Sequence, residues 1–162
     1  MREVQSAGQV IPNSPPVEGV TVVLWDHVFT VFVPGEPGPQ GSKIGFSKIG
    51  TTKVQMVEAS KKVKPWRLAI VATCTGLVNA PIDDPVRIRR LYLFDRPKTV
   101  TREFPIGNEG DIDKLDRATF DGLVMAGVLR DDRLVVAGSH MKRYVTAGQK
   151  PGAWLRIEIL PF

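Results

Sequence analysis

The chain has 162 residues, 43% hydrophobic and 24% charged, which suits one packed domain rather than two independent cores. Lysine and arginine outnumber aspartate and glutamate by 22 to 17, a basic balance that favours a polyanionic partner. Cys74 is the single cysteine, which excludes an intramolecular disulfide and a multi-cysteine zinc centre; with no signal-like start and no apolar run long enough for a bilayer, a soluble protein of a reducing cytoplasm, in contact with no membrane, is expected.

Residues 1–19 mix Ser, Pro, Gly and Asn with isolated aliphatics and show no period, so they read as an N-terminal extension to one domain over 20–162. Thr21–Trp25 and Val28–Val33 are rich in β-branched and aromatic residues and are expected strands, the second apolar on both faces and therefore interior. The following Pro34-Gly35-Glu36-Pro37-Gly38-Pro39-Gln40-Gly41-Ser42-Lys43 has two readings. It is a long hairpin loop, or a loop lying on DNA with Lys43 at a phosphate and glycines that let another chain approach. Thr52–Val57 alternates polar and apolar side chains and is expected to return as a half-exposed strand.

Ser60 is expected to cap a helix reaching about Thr75 and ended by Gly76, with Val63, Trp66, Ile70 and Cys74 on its buried side. Lys61, Lys62 and Lys64 crowd its start, where the macrodipole favours acids, so local stability does not explain them; they suit a bound phosphate or form a solvated face. Asp83 and Asp84, flanked by prolines, read as a solvated turn. Val86–Phe94 changes its apolar phase near Arg89 and Arg90, which predicts a strand with a bulge or one that becomes buried on both faces. Asp113 is expected to cap a second helix reaching about Ala126. Short strands at Leu134–Val136 and Met141–Val145, parted by Gly138, and a last strand over Ala153–Ile159 complete an α/β (α+β) single domain: a mixed sheet with two main helices. His27 and His140 are isolated and support no histidine-based centre.

The chemistry concentrates around the second helix. Gly110-Asp111-Ile112-Asp113-Lys114-Leu115-Asp116-Arg117 sets two carboxylates one residue apart with a basic residue one turn on, and Arg130-Asp131-Asp132-Arg133 adds an acidic pair after the helix. Mg²⁺ takes hard oxygen ligands and keeps several waters, so a few carboxylates suffice and positions remain for phosphate oxygens. Each acid also has a structural explanation: Asp113 as a cap, Asp111 in a turn, Asp131 and Asp132 at a polar tip. Their combination in a basic chain points instead to phosphodiester chemistry, with Arg117 able to stabilise charge on the phosphoryl oxygens.

The run from Gly110 to Leu123, with Gly127-Val128-Leu129-Arg130-Asp131-Asp132-Arg133-Leu134-Val135, resembles RusA-type Holliday-junction resolvases. Val33–Pro37 resembles that family's Pro/Gly segment after its first strand, and Lys142-Arg143-Tyr144 its late basic strand. The resemblance covers roughly residues 28–160. It implies a RusA-like fold, metal binding by Asp111, Asp113 and Asp132 with Asp131 adjacent, and catalysis by these acids with Arg117. Lys114 stands where the family usually has Asn, and Arg117 where it has a catalytic Lys. It further implies a phage or prophage-derived homodimer in the bacterial cytoplasm that uses Mg²⁺, with Mn²⁺ as substitute, to nick two strands of four-way DNA symmetrically. Lys43, Lys61, Lys62, Lys64, Arg67, Arg130, Arg133, Lys142 and Arg143 are the expected phosphate contacts. Two rivals stand beside this reading: a broader nuclease cutting forks or flaps, and a non-catalytic branched-DNA-binding protein.

Overall fold

Strand β5 (Val86–Phe94) sets the two sides of the sheet. Val86, Ile88, Arg90, Tyr92 and Phe94 are all buried on one face, so the arginine that interrupts the hydrophobic pattern occupies an inward position and the strand never changes phase. The expected irregularity lies elsewhere. Val86 pairs with Val135 but Arg87 with Ala137, a bulge of one residue in the neighbouring strand, and the end of β5 is buried on both faces at Leu93 and Phe94.

The computed structural model describes the backbone of residues 22–25, 28–41, 43–47, 54–58, 60–107 and 109–160, and the side chains of 28–41, 60–107 and 109–160. Residues 1–19, His27 and the side chain of Lys43 lie outside the described residues. Five strands form the main sheet in the order β1 (Val22–Trp25), β2 (Val28–Pro34), β7 (Gly152–Ile159), β5 and β6 (Val135–Tyr144). All pairings are antiparallel except β5 with β6, which are parallel because a helix crosses between them. The strands β3 (Lys43–Ser47) and β4 (Val54–Glu58) pair separately. The described residues thus form one α+β domain with a mixed sheet and two α-helices, as the sequence pattern predicts.

The two short strands expected around Gly138 are one. A Cβ at Gly138 would lie 1.9 Å from the Ile88 carbonyl oxygen, so the glycine admits β5 at close range and lets β6 run on instead of breaking it. Helix α1 (Val63–Cys74) buries Val63, Trp66, Ile70 and Cys74, the expected face. Its N-cap is Lys62 with no side-chain cap bond, not Ser60, and Pro65 sits in the first turn where its missing N–H costs nothing. Helix α2 (Ile112–Met125) starts after Asp111, so Asp113 lies in its first turn rather than at its cap, where a carboxylate still complements the macrodipole. Both helices pack on the inward face of the sheet around Val31, Ile88, Leu155 and Ile157.

Candidate metal and nucleic-acid site

The Pro/Gly loop after β2 is wedged against the starts of both helices. A Cβ at Gly38 would lie 2.1 Å from the Lys62 carbonyl oxygen, and one at Gly110 would lie 2.4 Å from Cγ of Pro39. The Gln40 N–H donates to the Lys114 carbonyl at 3.0 Å. The close approach that these glycines permit is therefore made, over residues 35–40, by the protein's own chain. It fixes Gly110, and hence Asp111, in place.

Asp111 and Asp113 are both exposed at this end of α2. The Asp111 carboxylate takes a hydrogen bond and ion pair from Lys114 Nζ at 2.8 Å, which holds its carboxyl below the usual range. Three inward residues of β6 meet the same end. Tyr144 donates to Glu109 Oε1 at 2.5 Å, Lys142 donates to the Gly110 carbonyl at 2.8 Å, and His140 Nδ1 lies 2.6 Å from Asp116 Oδ2. Burial pushes the Glu109 carboxyl up, but the Tyr144 hydroxyl and two backbone N–H groups outweigh it and leave it lowered. Arg117 is exposed one turn on.

The second acidic pair lies at the other end. The Ile82 N–H donates to the Val128 carbonyl and the Arg130 N–H to the Ile82 carbonyl, which anchors the chain as it leaves α2. Asp131 then caps the single 3-10 turn Asp132–Leu134 by accepting the Arg133 N–H at 2.9 Å. The Arg133 guanidinium binds the same carboxylate through both oxygens, and its hydrogen bonds bring the Asp131 carboxyl down to about 2. Asp131 and Asp132 border a shallow depression of about 310 Å³ with Asp121, Met125 and Arg130, where Arg67 pairs with Asp121.

Convergence of Asp111, Asp113 and Asp132 within one protomer is the expectation that needs correcting. The 14 residues of α2, at about 1.5 Å each, put about 21 Å between the two ends. Among the described residues no group of three His, Cys, Asp or Glu side chains is arranged to hold a metal. The chain comes back from the helix at the end it has just reached, so the turn returns Asp132 to the last turn of α2 and not to the first.

The expected phosphate contacts divide into two sets. Lys62 pairs with Glu36 at 2.6 Å, Arg130 with Asp83 at 3.2 Å and Arg143 with Glu103 at 2.8 Å, alongside the Arg67 and Arg133 pairs. Lys61 and Lys64 are exposed with no ion pair among the described residues, and Asp83 and Asp84 are solvated as expected. The exposed Lys62 and Arg130 pairs are worth little and exchange readily for a phosphate, whereas Arg67 is largely buried in its pair with Asp121.

The polar cluster beside the acidic end escapes the sequence reading. Buried Arg90 donates to Asp116 through Nε at 3.1 Å and Nη2 at 2.7 Å, and the Tyr92 hydroxyl donates to Asp116 at 2.8 Å. Burial pushes the Asp116 carboxyl up, but hydrogen bonds from Arg90, His140 and Tyr92 and the Arg90 charge more than reverse this. Tyr92 is held far above its ordinary value by burial and by that carboxylate. Trp66 Nε1–H donates to Thr119 at 3.1 Å, and Thr119 donates to the Leu115 carbonyl at 2.8 Å. Trp66 is thus core, as expected, while His140 is not isolated. The signal was complementarity: an arginine at an inward strand position and an aspartate on the inward arc of a helix, each a fault in its own pattern and each explained by the other.

No family model matches this chain, and no curated protein matches it at a significant level. Among the described residues no helix is long and apolar enough to cross a membrane.

Proposed function

We propose that this chain is a Mg²⁺-dependent endodeoxyribonuclease of the RusA-like type, acting as a homodimer on Holliday junctions and related branched DNA by paired nicks. The observation that carries the reading is the exposed Asp111-Ile112-Asp113 pair at the start of α2, ringed by Lys114, Arg117 and Lys142. Two exposed carboxylates one residue apart at a helix start leave room for Mg²⁺, which binds through one or two carboxylates and completes its shell with water and phosphate oxygens. Asp111 and Asp113 would hold the ion, and Mn²⁺ would substitute for it. The metal supplies Lewis-acid charge at the phosphoryl group when bound.

The chain's own groups do the positioning. Arg117 and Lys142 set positive charge beside the carboxylates, where a phosphodiester's non-bridging oxygens gain charge during in-line attack. Lys114 releases Asp111 to a metal at small cost, because the pair is solvent-exposed. Lys61 and Lys64 are exposed around the start of α1 and offer backbone phosphates two cations with no ion pair among the described residues.

The position of Asp132 supports the dimer. One protomer keeps it a helix length from Asp111; a two-fold axis across α2 would set the end of one copy's helix beside the start of the other's. Each centre would then combine Asp111 and Asp113 of one chain with Asp131 and Asp132 of its partner, and the two centres would face the two strands of a nearly two-fold junction. The Asp111–Lys114 ion pair favours the non-catalytic rival, since it places a cation where a metal would sit. A labelled four-way junction and a matched linear duplex, incubated with Mg²⁺ or EDTA, separate the readings. Paired nicks on the junction that need Mg²⁺ and are lost in Asp111→Asn support the proposal; equal cutting of linear duplex makes the enzyme a general nuclease, and binding without cutting makes it a non-catalytic binder.

A further inference from the structure

The helices cover one face of the sheet, and among the described residues no helix covers the other. Strand register aligns two rows of side chains across this open face. Phe32 pairs with Trp154, Trp154 with Leu91 and Leu91 with Met141, an apolar row crossing β2, β7, β5 and β6. One pleat along, Thr30 pairs with Arg156, Arg156 with Arg89 and Arg89 with Ser139. The rows share a depression of about 350 Å³. The Phe32 and Trp154 rings stand 5.1 Å apart at 48°, both half-buried, and Met141 is half-exposed.

Arg89 and Arg156 decide what the face is for. Like charges directly opposite on adjacent strands repel, and both arginines are exposed with no ion pair among the described residues. The next pair along, Arg87 and Glu158, is compensated at 3.2 Å, so the sheet does hold a carboxylate where it needs one. Cross-strand pairing gains nothing from this arginine pair, and an anion from outside would compensate it. That anion must also bring flat apolar groups to the row beside it. A second copy docked by this face would bury both copies' arginine pairs without carboxylates, which is costly. Duplex DNA would satisfy the arginines but keeps its bases stacked on one another. An unpaired strand offers both phosphates and free base faces.

We propose that the open sheet face is a single-stranded nucleic-acid platform, with bases on the Phe32, Trp154, Leu91 and Met141 row and phosphates at Arg89 and Arg156. It lies across the sheet from the α2 acids and is independent of cleavage by them.

The test is fluorescence anisotropy of a labelled oligothymidine of about 15 nucleotides, titrated in EDTA with Asp111→Asn protein so that no cleavage enters. Arg89→Gln with Arg156→Gln should weaken binding at least about tenfold and flatten its salt dependence by about 1.4 in log–log slope. Trp154→Ala should weaken binding about tenfold with the salt slope unchanged, and Trp154→Phe should restore most of it. Melting curves establish that each variant is folded; the arginine substitutions are at exposed positions and serve if Trp154→Ala unfolds. Unchanged affinity in the folded arginine variant overturns the proposal. So does an equal loss on duplex and single strand, or a change in oligomeric mass with oligonucleotide binding intact, which would make the face a contact between copies. Failure of the nuclease reading leaves these titrations unaffected.

Discussion

Arg90 and Asp116 join the sheet to the helix layer through a buried, two-point ion pair, and their consequences are unequal in the two directions. Removing one partner leaves a buried charge uncompensated, whereas replacing both by apolar groups removes the desolvation penalty along with the attraction. Asp116→Ala should therefore lose about 3 kcal/mol in urea unfolding, and Arg90→Met with Asp116→Leu should lose clearly less. The pH dependence follows from the lowered Asp116 carboxyl. Its contribution is present above the unfolded aspartate value of about 4 and is lost as pH falls through the lower folded value. Thermal stability of the wild type should drop over that acidic window, and Asp116→Asn should drop less steeply across it. A stability profile that loses this component between pH 7 and 6 would contradict the assignment. Neither residue's role was legible locally, because each is a misfit until a partner 26 positions away is known.

At the scale of elements, α1 and α2 meet where Gly122 faces Ile70. A Cβ on Gly122 would lie 2.8 Å from Ile70 Cδ1 and 3.0 Å from its Cβ, so both the tip and the root of the side chain obstruct it. Alanine gains about 1 kcal/mol of helix propensity over glycine but meets an overpacking cost of about 1 to 3 kcal/mol. Gly122→Ala should consequently destabilise the protein, by up to about 2 kcal/mol, and a raised melting temperature would show that the helices part more easily than this contact implies. Both helices, their buried faces and most strands were legible because burial imposes a period of 3.6 or 2 on apolar residues. The caps were not. Ser60 and Asp113 have capping side chains, yet the chain enters α1 through the turn at Lys61 and Lys62 and enters α2 one residue after Gly110, which Pro39 pins. Gly138 looks like a break in the sequence for a similar reason: its close partner, the Ile88 carbonyl, lies on another strand.

At the scale of the whole molecule, sequence places the acids in the right elements but cannot place the elements' ends in space. Asp111 and Asp113 are exposed at one end of α2, while Asp131 and Asp132 sit at the other end because a helix separates what it connects. The basic balance was legible as a count, but its distribution was not, since Lys62, Arg67, Arg130, Arg133 and Arg143 are already paired with carboxylates. In the proposed dimer the two ends of α2 from two copies form one phosphodiester-cutting centre, with Asp111 from one chain and Asp132 from the other. Mixing separately purified Asp111→Asn and Asp132→Asn proteins tests it most directly, because a mixed dimer carries both lesions in one centre and leaves the other intact. Each variant alone should fail to cut a labelled four-way junction in Mg²⁺, and the exchanged mixture should recover nicking of one strand. A mixture that forms mixed dimers yet stays inert, beside a wild type that cuts, would contradict the shared centre; a wild type that never cuts would contradict the nuclease itself.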